Sequence, residues 1–120
     1  MTEIIKKSKQ YDLEERTFKF ALKVRLFIKK LPKTIGNIED SKQLIRSSGS
    51  MGANYIEANE SLSKKDFCMR IKICRKESKE SKYWLRLLDV PASLGNERAL
   101  LIKESDELMK IFSAIMRKSV

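Results

Sequence analysis

Residues 64–88 read KKDFCMRIKICRKESKESKYWLRLL, and within them Phe67, Ile71, Cys74, Ser78, Ser81, Leu85 and Leu88 recur at steps of four and three. An unbroken four-three repeat of apolar and small residues is the seam of a helix packed along its length in a bundle. Ser63 precedes the run and Asp66 follows three positions later, so the spacing predicts a helix over 64–88 capped at Ser63. Cys74 lies on the seam and reads as a small core residue. Cys68, six positions earlier, is about 240° away around the same axis, so the two thiols cannot bridge.

The preceding stretch, QLIRSSGSMGANYIEAN at 43–59, carries Leu44, Ser48, Met51, Tyr55 and Ala58 at the same alternation, continued by Leu62. A helix over 41–62 is expected. Gly49 and Gly52 flank its seam and admit a neighbouring backbone closely, at about 1 kcal/mol each in helix propensity. Earlier still, Asp12 with Glu15 resembles a capping box, and Pro32 disfavours helical geometry in the residue before it, which predicts a first helix over 13–31 after a basic extension, 1–12. Its core residues are Leu13, Phe20, Val24, Phe27 and Leu31, but Phe18, Leu22, Leu26 and Ile28 widen the apolar face beyond one seam. A fourth helix over 97–118, capped by Asn96 after the turn DVPASLGN, places Leu101, Ser105, Leu108, Phe112 and Ile115 inward. The expected fold is all-α, an antiparallel up-down-up-down four-helix bundle in one domain, because the connections are too short for crossovers.

Composition narrows function further. The 120 residues, 14.0 kDa in mass, carry 26 Lys plus Arg against 16 Asp plus Glu, a net charge of +10. No His is present, which removes imidazole bases, Ser-His triads and His-ligated metal sites. The carboxylates are scattered without a compact constellation, so no enzyme, no metal and no cofactor are expected. The opening MTEIIKKSKQ lacks the apolar core of a signal peptide, and no segment approaches about 18 consecutive apolar residues, so a cytoplasmic protein with no membrane span is expected.

The positive charge is uneven. Residues 1–33 hold ten basic and four acidic groups and residues 63–90 nine and four, while residues 34–62 hold two and four. On the third helix Lys72, Arg75, Lys79, Lys82 and Arg86 form a stripe beside the seam, with Lys65 preceding them; on the first, Arg16, Lys19, Lys23 and Lys30 do likewise. Such stripes attract polyanions by counterion release, and RNA or DNA is the expected partner. The plainer alternative is a solvated lysine face that keeps a small bundle soluble. Tyr83 and Trp84 turn off the seam, with Met69 about four turns before Tyr83 on the same side of the helix, and read as the cover of a broad core or as a subunit interface, with stacking on a nucleic-acid base as the third reading. On the second helix Arg46, Ser50, Asn54 and Glu57 form a polar ladder, more a structural hydrogen-bond network than a reactive site, because Ser50 has no activating base.

The runs at 43–59 and 64–88, with YDLEERTFKFALKVRLFIKKLPKT at 11–34, closely resemble the bacterial four-helix bundle family encoded in intervening sequences of 23S ribosomal RNA genes. Arg46, Ser50, Asn54 and Glu57 match the polar pattern of that family; Ala58 stands where glycine is frequent and Gly52 where proline is. The resemblance implies an antiparallel bundle similar in shape to the accessory subunit of diversity-generating retroelements. It further implies a ring-shaped homopentamer whose basic surface contacts nucleic acid and a reverse transcriptase. An interaction scaffold for a protein partner, with no direct nucleic-acid role, is the alternative that the residues leave open.

Overall fold

A computed structural model describes residues 2–119, with side chains from residue 12 onward. Four α-helices follow one another, α1 (Thr2–Ile28), α2 (Ile35–Asn59), α3 (Lys64–Leu87) and α4 (Gly95–Ser119), with a 3-10 turn at Ala92–Leu94 before the last. Among the described residues there is no strand. Each helix packs on the next and α4 closes against α1, whereas among the described residues the backbones of the diagonal pairs stay apart. This is the up-down-up-down arrangement, 48 × 25 × 19 Å in extent.

The seams point inward as their spacing requires. Leu44, Ser48, Met51, Tyr55 and Ala58 of α2 are buried, as are Ile71, Cys74, Ser78, Ser81 and Leu85 of α3, with Leu88 just beyond it, and Leu101, Ser105, Leu108 and Phe112 of α4. Leu13, Phe20, Val24 and Phe27 of α1 complete the core. Phe67 and Ile115, at seam ends, are half-buried and pack against its margin. Four of the buried serines satisfy their hydroxyls nearby: Ser78 donates to Cys74 O at 2.9 Å, Ser105 to Ile102 O at 2.7 Å, and Ser47 meets Ser81 across the α2/α3 seam at 2.9 Å. The Cys74 thiol, pushed up to about 12 by burial, donates to Met51 O at 3.4 Å and stays protonated at neutral pH.

Several boundaries differ from the sequence expectation. Helix α1 begins ten residues before Asp12, so Asp12 and Glu15 lie inside it and form no cap; no Gly or Pro interrupts TEIIKKSKQY, and Asp in a helix interior costs less than about 1 kcal/mol. It ends at Ile28, and Leu31 reaches the core from the turn that follows. Helix α2 starts at Ile35 instead of 41, because the Thr34 hydroxyl accepts from Asn37 N at 3.1 Å and the glycine at position 36 falls in the tolerant first turn. It stops at Asn59, leaving Leu62 wholly exposed in the connection, because Ser63 at once caps α3 by accepting from Asp66 N at 3.1 Å. Asn96 is the second residue of α4, not its cap. Arg98, one turn into α4, caps the end of α3 with a guanidinium bond to Leu88 O at 2.7 Å.

Candidate nucleic-acid interface

On α3, Lys72, Arg75, Lys79, Lys82 and Arg86 recur at three- and four-residue steps and so share one flank, about 21 Å long, beside α4. Lys82 is committed: its Nζ lies 3.0 Å from Asp106 Oδ1 and 3.2 Å from Oδ2. Lys72, Lys79 and Arg86 are exposed and Arg75 is half-buried, and none of the four is ion-paired among the described residues. A groove of about 320 Å³ opens at the C-terminal half of this flank, between Lys79, Lys82, Tyr83 and Arg86 of α3 and Ser105, Asp106 and Met109 of α4.

The first-helix cluster sits on the other flank of α4 in a different electrostatic setting. Arg16 grips Glu104 with two bonds, Nε to Oε2 at 2.8 Å and NH2 to Oε1 at 2.7 Å, and that contact holds its guanidinium above the usual range. Lys30 meets Glu97 at 3.1 Å. Lys19 and Lys23 are exposed but line a cleft of about 780 Å³ with Arg16 and Lys103, where these four bases face Asp12, Glu15, Glu97, Glu104 and Glu107. Acids of α4 therefore balance the α1 stripe locally, while the α3 stripe keeps its surplus.

The polar ladder of α2 lies against α3. Arg46 reaches Glu80 at 2.8 Å and Glu77 at 3.4 Å; Asn54 donates to Ser50 O at 2.9 Å and Ser50 Oγ at 3.0 Å while accepting from Arg70 NH1 at 2.9 Å. The Glu57 side chain is exposed and stands apart from these bonds. Neither Glu77, Glu80 nor Arg70 was foreseen as a partner; their three-residue and seven-residue offsets on α3 were the available signal. Glu77 is buried, and desolvation, reinforced by the neighbouring charge of Glu80 and opposed by Arg46 and Lys76, raises its carboxyl above the ordinary glutamate value.

A pH dependence follows with a definite sign. Between the ordinary glutamate value and the raised one, the folded protein holds a proton that the unfolded chain has released, so stability falls as pH rises through that window and is level above it. Glu77→Gln removes this loss, and its melting temperature is expected to exceed that of the wild type above the window while keeping the Arg46–Glu80 pair. Superimposable melting-temperature profiles from acid to neutral pH for the two proteins would contradict this account.

The three residues expected at an interface or over the core divide. Trp84 is half-buried and packs against the core, Met69 is half-exposed, and Tyr83 is 56% exposed within the α3/α4 groove. The Tyr83 and Trp84 rings meet edge to face, centroids 4.9 Å apart and planes at 83°. A second apolar surface lies between α1 and α2, where Phe18, Leu22 and Ile56 are exposed around a groove of about 270 Å³ floored by Gly49 and Gly52, and Leu26 is exposed one turn beyond Leu22 on α1. Among the described residues no cluster of His, Cys, Asp or Glu could hold a metal ion, and no helix is long and apolar enough to cross a membrane.

Comparison with known proteins agrees with this architecture. A solved structure from Bacteroides thetaiotaomicron VPI-5482, described as a protein of unknown function from the S23 ribosomal protein family, superposes with a TM-score of 0.75 at 26% identity, over 91% of this chain and 98% of that one. No curated protein matches. The family model described as 23S rRNA-intervening sequence protein matches residues 9–114, the whole four-helix core, and the chain belongs to that family.

Proposed function

We propose that this protein is a non-enzymatic, cytoplasmic homo-oligomer that binds RNA or DNA through phosphate contacts along α3. The observation that carries the reading is the set Lys72, Arg75, Lys79 and Arg86, four cations on one flank that no described acidic side chain neutralises. Arg16, Lys19 and Lys23 of α1, facing acids of α4, are assigned a secondary share. Lys82 stays within the surface, its charge offset by Asp106. Contacts of this kind position a strand without reading its sequence, so low sequence preference is expected.

Neutralising four phosphates of a duplex gives a log–log salt slope near about −3.6, a loss on the order of 100-fold between roughly 50 and 200 mM salt. The test is a mobility-shift series over that range with RNA, duplex DNA and an RNA–DNA hybrid, comparing the wild type with a variant carrying glutamine at 72, 75, 79 and 86. Retention at low salt that the variant loses is the expected result. No retarded complex with any of the three, or equal retention by the variant, overturns the proposal.

The apolar surface of Phe18, Leu22, Leu26 and Ile56 supports the oligomeric part, because exposed apolar patches of this kind mark interaction sites. The same surface favours the second reading, a scaffold whose ligand is a protein. Light scattering separates them: a multiple of 14.0 kDa supports self-association, and a monomer that copurifies with a stoichiometric protein supports the scaffold.

A further inference from the structure

We infer that Tyr83 is a stacking platform for one unpaired base, and that the α3/α4 groove therefore selects single-stranded segments of nucleic acid over duplex. The inference rests on the reading of α3 as a phosphate-binding surface and adds to it the class of strand that the surface takes.

Three observations point to this role. Tyr83 is 56% exposed, yet it does not stand alone: Lys79 lies one turn before it and Arg86 one turn after it on the same groove, so a cation flanks the ring on each side along the helix. The ring is also anchored. Its edge-to-face contact with Trp84, which is itself packed on the core, restricts its orientation while more than half of its residue surface stays open. Finally, the floor of the groove offers little competing charge. Ser78 and Ser105 spend their hydroxyl protons on carbonyls of their own helices, Asp106 is neutralised by Lys82, and Met109 supplies an apolar, polarisable surface.

A cationic rim around an exposed aromatic face is the arrangement that binds single strands, with the phosphates held by charge and the base by the ring. A duplex cannot use it, because both faces of every paired base are already covered by neighbours in the stack. The groove volume of about 320 Å³ lies at the low end for ligand sites, room for a base and its sugar and not for a double helix.

The probe that isolates the ring is a pair of single strands of equal length and charge, one an oligothymidylate and the other an abasic strand with the same phosphates and no bases. Wild-type protein is expected to bind the oligothymidylate on the order of tenfold more tightly than the abasic strand, the size of one base–aromatic contact. Tyr83→Phe keeps that preference. Tyr83→Ala brings the oligothymidylate down to the abasic level and leaves abasic binding and mass in solution unchanged. Trp84, the only tryptophan, gives a second readout: its fluorescence should respond to the oligothymidylate and not to the abasic strand.

Equal, salt-sensitive binding of both strands by the wild type overturns the stacking role alone and leaves the phosphate surface standing. A fall in mass for Tyr83→Ala overturns it too, because Tyr83 would then be a contact between subunits. Failure to bind either strand at low salt, with duplex DNA and hybrid still retained, overturns the preference for single strands; failure with RNA, duplex and hybrid as well overturns both readings together.

Discussion

Asn37→Ala is expected to destabilise the bundle by about 3 kcal/mol, through three side-chain hydrogen bonds whose partners each cost about 1–3 kcal/mol when left unpaired and buried. Asn37 is 3% exposed and stands at the third position of α2. Its Nδ2 donates to Pro32 O and to Asp89 O, each at 2.9 Å, and its Oδ1 accepts from Asp89 N at 2.8 Å. One amide therefore ties the α1–α2 turn to the segment that leaves α3, and no other described side chain makes both connections. Because Asp89 is exposed, water can replace part of the loss there, which keeps the figure below the sum of three full penalties. Asn37→Asp retains the acceptor for Asp89 N but turns a carboxylate oxygen toward two carbonyls, so it should be about as damaging at neutral pH. Urea unfolding of both variants provides the check, with a midpoint shift of less than about 1 kcal/mol for either, taken as ΔΔG at constant slope, contradicting the assigned role.

Gly52→Ala and Gly49→Ala are expected to move stability in opposite directions. Alanine gains about 1 kcal/mol over glycine inside a helix, and at position 49 nothing opposes it, since the added Cβ would stand 3.6 Å from Arg25 NH2, ordinary contact with a flexible chain end. At position 52 the Cβ would lie 3.0 Å from Thr17 Oγ1 and 3.3 Å from Thr17 Cβ. Thr17 cannot retreat: it is 1% exposed, and its hydroxyl is held by Leu13 O at 3.0 Å and Glu14 O at 2.9 Å. Helix α1 must then move off α2, and overpacking of this kind costs about 1–3 kcal/mol, enough to cancel or exceed the propensity gain. The two variants should differ by about 2 kcal/mol, or roughly 8 °C in melting temperature for a chain of this length. Adding Thr17→Ala to Gly52→Ala should recover most of the loss. Equal gains for both glycine variants would show that α1 does not approach α2 as closely at Thr17 as described.

The contrast between the glycines shows where sequence reading stopped. That small residues beside the α2 seam admit a close neighbour was legible; that the neighbour is Thr17 over Gly52, with Gly49 merely near an arginine, needed the rotation of α1 about its axis. The basic stripes repeat the lesson. Both were visible as residue patterns, yet Arg16 and Lys30 are paired with Glu104 and Glu97 of α4 while Lys72, Lys79 and Arg86 are not. Asn37 gave no signal at all, since it lay in a stretch that proline and glycine marked as loop.

The four seams, the buried Cys74 and the Ser63 cap followed from the amino-acid order alone, because helix periodicity and capping are contacts between residues three or four apart. Which charges remain free, which carboxylate is buried and where Tyr83 opens were settled only in three dimensions. Those depend on residues 24 to 88 positions apart meeting across helix faces, such as Lys82 with Asp106 and Arg16 with Glu104, and one-dimensional spacing carries no information about the rotation that brings two faces together.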